Sequence, residues 1–277
     1  MPIPPLPPHS LWDRPEPTAA EPPAPSWPGR DAWLMLGIGA ALAVVCLAEP
    51  HLRWVLSYLT TLIHELGHVV VGWLFGYPSL PAFDFTYGGG ITTYETRSAL
   101  LLGFVYLCLG GLAALYWRNR LTLVVLGAAI GLLALCAHTH AHQAIILFMG
   151  HGMELALAGV FLYRAMGSAA ILHAAERPVY AACGFFIVFS DAAFAWRLWA
   201  NPLARRLYED AKGGGHWMDF SQLADHYFRV SLPTVAFIFL LCCALPLVLS
   251  LLAHRYQSRL AALMVRLFRR DGPAGRD

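Results

Sequence analysis

The stretch His64-Glu65-Leu66-Gly67-His68 sets two imidazoles four residues apart with a carboxylate between them. On an α-helix, positions i and i+4 share a face, so both imidazoles can bind one metal ion. Glu65 then stands beside the ion without ligating it, placed to take a proton from a water on the metal. Zinc lowers the pKa of such a water to roughly 7, which makes hydroxide available at neutral pH. The chemistry expected of this pattern is metal-assisted hydrolysis, with His64 and His68 as ligands of Zn2+ and Glu65 as general base. A packed polar cluster is the competing reading of the same residues.

The surroundings of the motif are unlike those of a soluble enzyme. The run TTLIHELGHVVVGWLFGYP, from Thr60 to Pro78, is mostly Leu, Val, Trp and Phe. The 277-residue chain is 58% hydrophobic and 13% charged, with a mean hydropathy of +0.54, against about a quarter charged residues in soluble domains. An all-α fold is expected, a polytopic transmembrane helix bundle with a short Gly-rich hairpin after the motif helix. An ionisable group at mid-bilayer costs about 2.5–3.5 kcal/mol, so three within one helical turn call for a role. The net charge of +2 gives no reason to expect a nucleic-acid partner. The six cysteines lie in apolar runs without a CxxC, as small packing residues rather than a disulfide or thiolate framework.

About seven stretches are long and apolar enough to span: 32–48, 54–75, 99–117, 121–137, 143–165, 179–199 and 233–253. They define a domain over 31–254, between a Pro-rich tail (1–30) expected to be disordered and a basic amphipathic tail (255–277). Side A is the side of the Pro-rich tail and side B the opposite one. Of 19 Lys and Arg, 11 then fall on side B and 8 on side A, a bias that places the C-terminus in the cytoplasm. The expected location is a bacterial inner membrane.

Catalytic zinc takes three protein ligands and keeps one position for water. Counted by depth, the third should come from another span level with His64 and His68. The fifth span carries His151 and Glu154, at i, i+3 on one face, and the sixth carries Asp191. A carboxylate joined to two histidines makes the common His2Glu set, so Glu154 is the expected third metal ligand. Asp191 and His151 are the alternates, and the two not used become neighbours of the ligands or stabilisers of the oxyanion. A plain His151–Glu154 pair remains an alternative.

These residues carry a resemblance. The run from Thr60 to Pro78 resembles the active-site span of the site-2 proteases, the M50 peptidases. It has HExxH with Gly67 before the second histidine, and a downstream Gly76-Tyr77-Pro78. FDFTYGGGITT, from Phe83 to Thr93, resembles the β-hairpin that the family places next, with a Gly-rich turn at Gly88-Gly89-Gly90. The resemblance implies zinc-dependent hydrolysis of peptide bonds in membrane-embedded protein or peptide substrates, and a third ligand of the Asp type, which favours Asp191. The chain departs from the family in having no NPDG or LDG segment and no loop long enough for a PDZ or CBS domain. It reads as a divergent, minimal member.

Several features lie outside this picture. His138, His140 and His142 alternate at the side-A mouth, as loop histidines or as a relay for metal or protons. DFSQLADHYFR, 219–229, starts with a capping-box pattern and reads as a short interfacial helix on side A, after the Gly213-Gly214-Gly215 break. RYQSRLAALMVRLFRR, 255–270, reads as a helix on an anionic membrane surface or as a solvated basic tail. Two other classes of function stay open: a non-proteolytic assembly or binding protein of the same fold, and a metal-ion transporter. Glu65 at the base position favours an enzyme over a carrier.

Overall fold

The computed structural model describes residues 26–84, 89–167, 171–211 and 218–269. Most of the Pro-rich tail, the Gly88 turn and the Gly213–Gly215 break lie outside the described residues. The chain is mostly helical. Six helical segments are long and apolar enough to cross a membrane, which makes this a membrane protein by length and composition. They are α1 (Arg30–Ala48), α2 (Pro50–Leu74), α4 (Arg120–Ala137), α5 (Ala141–Met166), α6 (Glu176–Ala200) and the pair α9 (Leu232–Cys242) and α10 (Leu245–Arg255). The last span is broken at Cys243–Ala244, just before Pro246, which cannot continue the ladder of α9.

The third expected span, α3 (Ala99–Leu115), has only 17 residues, about 25 Å of helix. It still joins the two faces. Ser98 N–H donates to the Gly76 carbonyl at the end of α2, and the other end turns into α4 through Asn119. The helices start where capping chemistry dictates. Glu49 accepts from Leu52 N–H with Pro50 in the first turn of α2, and Ser98, Asn119 and Asn201 cap α3, α4 and α7 (Pro202–Glu209). Helix α2 stops at Gly76, whose φ of +87° is the left-handed conformation that ends helices at little cost to glycine.

Lipid tails are as apolar as leucine, so close backbone approach rather than hydrophobicity must hold such helices together. Helix α5 packs against α2, α6 and α10, while α1 and α9 pack on α6. A Cβ at Gly39 would overlap Ala181, and one at Gly67 would overlap the Met149 carbonyl, so α1–α6 and α2–α5 meet at near-backbone distance. The α3–α4 hairpin is peripheral: α3 has no buried residue and α4 only Thr122 and Ala137. On side A, α8 (Asp219–Gln222) runs into a π-helical turn, Leu223–Phe228, that ends at Arg229 in the left-handed region. Phe220 and Leu223 sink into a core with Leu198 and Phe239, which docks this short element onto the spans.

After α2 the chain turns back as an antiparallel hairpin, β1 (Ser79–Phe83) and β2 (Gly90–Tyr94), with Pro81 opposite Thr92. The ring of Phe83 lies 5.5 Å from that of Tyr58, so the hairpin descends alongside α2 past the HExxH motif.

Three arginines fasten helix ends. Arg97 donates to the carbonyls of Phe75 (2.9 Å) and Ala137 (2.8 Å), Arg177 to Ala165 and Met166, and Arg205 to Leu198 and Trp199. Each satisfies carbonyls that have no partner within their own helix and sits at the negative end of the dipole. They have a local reason for their positions whichever side faces the cytoplasm. Arg97 ties α2 to α4, and Arg97→Ala is expected to cost about 1–3 kcal/mol. A lowered thermal midpoint, with early loosening of the α3–α4 hairpin in hydrogen exchange, is the measurement.

Candidate metal centre and active site

Helix α2 presents His64 and His68 on one face, their Nε2 atoms 3.1 Å apart. Asp219 Oδ2, from α8, lies 3.0 Å from His64 Nε2 and 3.2 Å from His68 Nε2. Ligands of a tetrahedral zinc with bonds of 2.0–2.2 Å stand about 3.3–3.5 Å from one another, so these three atoms form a slightly tight ligand triangle. The far side of each ring is spoken for. His68 Nδ1 donates to the Ile146 carbonyl at 2.8 Å, and His64 Nδ1 meets Glu154 Oε2 at 3.2 Å. With Nδ1 donating, each Nε2 turns a lone pair toward the other and toward a carboxylate oxygen. Three electron-rich atoms converging in this way fit a cation, and a carboxylate behind a ligating histidine is the usual support of a zinc site.

Two glycines make the arrangement possible. Gly67 lets α2 approach α5 closely enough for His68 to reach the Ile146 carbonyl. Gly150, on α5, lies against the metal-facing side of the imidazoles, where a Cβ would fall 2.6 Å from both Nε2 atoms. A Gly150→Ala protein keeps every ligand and gains helix propensity, yet its methyl group fills the cradle. Zinc affinity is expected to fall at least about tenfold, since disturbing even an outer partner costs 10–100-fold. Competition titration against a chelator, with helicity checked by circular dichroism, is the measurement.

Behind His64 lies a second polar layer. Glu154 Oε2 also accepts from His151 Nδ1 at 2.8 Å, and Asp191 Oδ1 is 3.6 Å from the same nitrogen. The His151 ring is packed among Phe194, Phe220 and Phe239. Glu65, Glu154 and Asp191 are 5–7% exposed. No Lys or Arg is among the described residues lining the cavity. The basic partners of Glu154 and Asp191 are imidazoles alone, and a buried set of carboxylates and imidazoles of this kind could hold a divalent cation.

The cavity in front of the triangle measures about 470 Å³ and is walled by Thr60, Thr61, β2, Phe194, Tyr208 and α8. Glu65 Oε2 accepts a 2.6 Å hydrogen bond from the Thr92 hydroxyl. A Cβ on Gly90 would collide with the same carboxylate, so β2 lies directly on Glu65. Burial alone would raise the Asp219 carboxyl, but the flanking imidazoles of His64 and His68 outweigh it and hold this group well below the usual carboxylate range. Tyr94 and Tyr208 are pushed the other way, by burial first and then by the charge of Asp219. Both phenols therefore stay protonated in the cavity wall.

The structure brings His64, Glu65, His68, His151, Glu154 and Asp191 together, with the last three arranged differently around the imidazoles than expected. Glu154 stands on the Nδ1 side of His64, away from the point where the two Nε2 atoms converge, and Asp191 and His151 lie behind it. At the convergence of the two Nε2 atoms stands Asp219, while Glu154 forms with His64 and His151 a second group that could hold an ion. The N-cap of α8 is Met218, so Asp219 is the first helical residue rather than the cap, and its carboxylate faces the histidines. Counting by depth missed Asp219 because it surveyed only spans. His68 is six residues from the end of α2, about 9 Å, within reach of an element lying on side A. Thr92 carried no signal of its own. His142 is buried, with Tyr77 Oη at 2.9 Å and the Thr139 carbonyl at 2.5 Å, while His138 and His140 are exposed and converge on nothing. Among known proteins, no family model, no curated protein and no solved structure matches this chain.

Proposed function

We propose that the chain is a zinc-dependent intramembrane endopeptidase that hydrolyses peptide bonds of membrane-embedded substrates, a divergent minimal member of the site-2 protease family. The observation that carries this reading is the triangle of His64 Nε2, His68 Nε2 and Asp219 Oδ2 with Glu65 beside it. These three residues hold the metal, with Glu154 and the Ile146 carbonyl orienting the imidazoles. Bound zinc supplies Lewis acidity that makes a water a usable nucleophile at neutral pH. Glu65 takes the proton of the attacking water and returns it to the leaving amine nitrogen. Thr92 holds the Glu65 carboxylate in one orientation. The protonated phenols of Tyr94 and Tyr208 are hydrogen-bond donors in the wall where negative charge develops on the scissile carbonyl. Composition and compactness favour a bacterial inner membrane as the setting, and the arginine bias favours a C-terminus in the cytoplasm.

A transmembrane helix satisfies its own backbone and must be unwound before attack. The phase of the hairpin supports a place to hold the unwound strand. Asp84 N–H bonds to the Gly89 carbonyl and Glu95 N–H to the Pro78 carbonyl. In this register the pairs 80/93 and 82/91 exchange hydrogen bonds, so residues 90, 92 and 94 turn theirs to the outer edge of β2. On β1 the corresponding outer edge has Pro81 at its centre, which has no N–H to offer. Strand addition is therefore favoured on β2, the strand that borders the cavity.

The test is metal content and cleavage together. Purified protein should carry one zinc per chain and cut a transmembrane peptide. A chelator should stop cleavage, and added zinc should restore it. Metal without cleavage of any membrane-embedded peptide favours the assembly or transport readings. Within the same assay, Thr92→Val removes one charge-assisted hydrogen bond. It should lower kcat on the order of tenfold while leaving zinc content unchanged.

A further inference from the structure

The last described helix, α11 (Gln257–Phe268), is pinned at both ends to one face of the bundle. It starts directly after α10, the end of a spanning segment. At its far end Asn119 Nδ2 donates to the carbonyls of Arg266 (2.7 Å) and Arg269 (3.1 Å), and the Thr122 hydroxyl donates to the Leu267 carbonyl (2.5 Å). These carbonyls have no partner within α11, and Asn119 is the tip of the α3–α4 hairpin, on the same face as the end of α10. A helix of 12 residues, about 18 Å long, held at two points of one membrane face must run along that face.

Its residues suit that position. At 100° per residue, Leu260, Leu263, Met264, Leu267 and Phe268 share one arc, and Leu260, Leu263, Met264 and Phe268 are exposed. Arg259 and Arg266 stand on the opposite side, Arg255 ends α10 with its guanidinium over the Trp27 ring, and Arg118 and Arg120 flank Asn119. An exposed apolar arc backed by arginines at a bilayer edge matches an interfacial helix in chemistry and dimension.

We propose that α11 lies in the membrane plane and binds anionic phospholipid headgroups through Arg259 and Arg266, with its apolar arc at the acyl boundary and Asn119 and Thr122 fastening its end. The proposal stands independently of the metal centre. The occupant is anionic lipid rather than a soluble partner because both ends of α11 are tied at the level where headgroups lie, and its charge complements theirs.

The experiment uses the full chain in nanodiscs of phosphatidylcholine alone or mixed with phosphatidylglycerol. Chymotrypsin reads access to Leu263 and Phe268, and native mass spectrometry counts retained phosphatidylglycerol. Cleavage in α11 should be slower in the anionic discs. Arg259→Gln with Arg266→Gln should reduce lipid retention roughly fivefold per arginine and speed cleavage. Asn119→Ala with Thr122→Val should speed cleavage in both lipids without altering charge. Equal cleavage in the two lipids, or phosphatidylglycerol retention indifferent to the arginine substitutions, would overturn the proposal.

Discussion

An Asp219→Ala protein is expected to purify without zinc and without peptidase activity. The substitution takes one of three protein ligands from a site that needs three, and it removes the charge that complements a cation between two imidazoles. Loss of an outer partner typically costs 10–100-fold in metal affinity, so loss of a ligand should exceed about 100-fold. Glu154→Gln is the informative contrast. It alters a partner on the Nδ1 side of His64, so affinity should fall by about 10–100-fold while saturating zinc still fills the site. Thermal unfolding gives a second readout. A ligand at 100 times its dissociation constant stabilises the folded state by about 2.7 kcal/mol, so zinc should raise the midpoint of the native protein and leave Asp219→Ala unmoved. If Glu154→Gln loses the metal and Asp219→Ala keeps it, the ligand set is instead His64, His151 and Glu154, the other grouping these side chains allow.

Glu65→Gln should keep one zinc per chain and lose cleavage by about 10²–10⁴-fold, the usual contribution of a general base. The amide is nearly isosteric and can still accept from Thr92, so the cavity should keep its shape. What disappears is the capacity to take a proton from water and deliver it to the leaving amine. The same variant separates the classes of function left open by the residues alone. A carrier or an assembly factor needs the histidines and acids but has no use for a base, and would work unchanged after this substitution. Zinc content measured beside turnover keeps a collapsed site from being mistaken for a missing base.

The pair of imidazoles with Glu65 between them was legible because HExxH is a local pattern, and the bundle because apolar runs of spanning length announce themselves. Depth counting correctly drew His151, Glu154 and Asp191 toward His64, since helices of known rise carry residues to calculable levels. It did not give the order of those residues around the two imidazoles. Which nitrogen of His64 faces which acid depends on how α5 rotates against α2, and that rotation is set by Gly67 and Gly150 meeting backbone and imidazole. Neither glycine differs in sequence from one that merely loosens a helix. Asp219 was hidden by a second ambiguity. Asp followed three residues later by Gln reads as a capping box, and only the docking of Phe220 and Leu223 into the core reveals that the carboxylate is turned inward. The partners of Arg97, Arg177 and Arg205 could not be read at all, because the carbonyls they satisfy are 6 to 40 residues away. No local pattern marks such distant partners.

The most direct measurement is an anomalous difference map, collected at the zinc absorption edge from crystals of the full chain grown with zinc. One peak is predicted within about 2.0–2.2 Å of His64 Nε2, His68 Nε2 and Asp219 Oδ2 together. A peak bound by Glu154 in place of Asp219 would contradict the account of the ligands, and a fully loaded protein with no peak at His64 and His68 would contradict the metal centre itself.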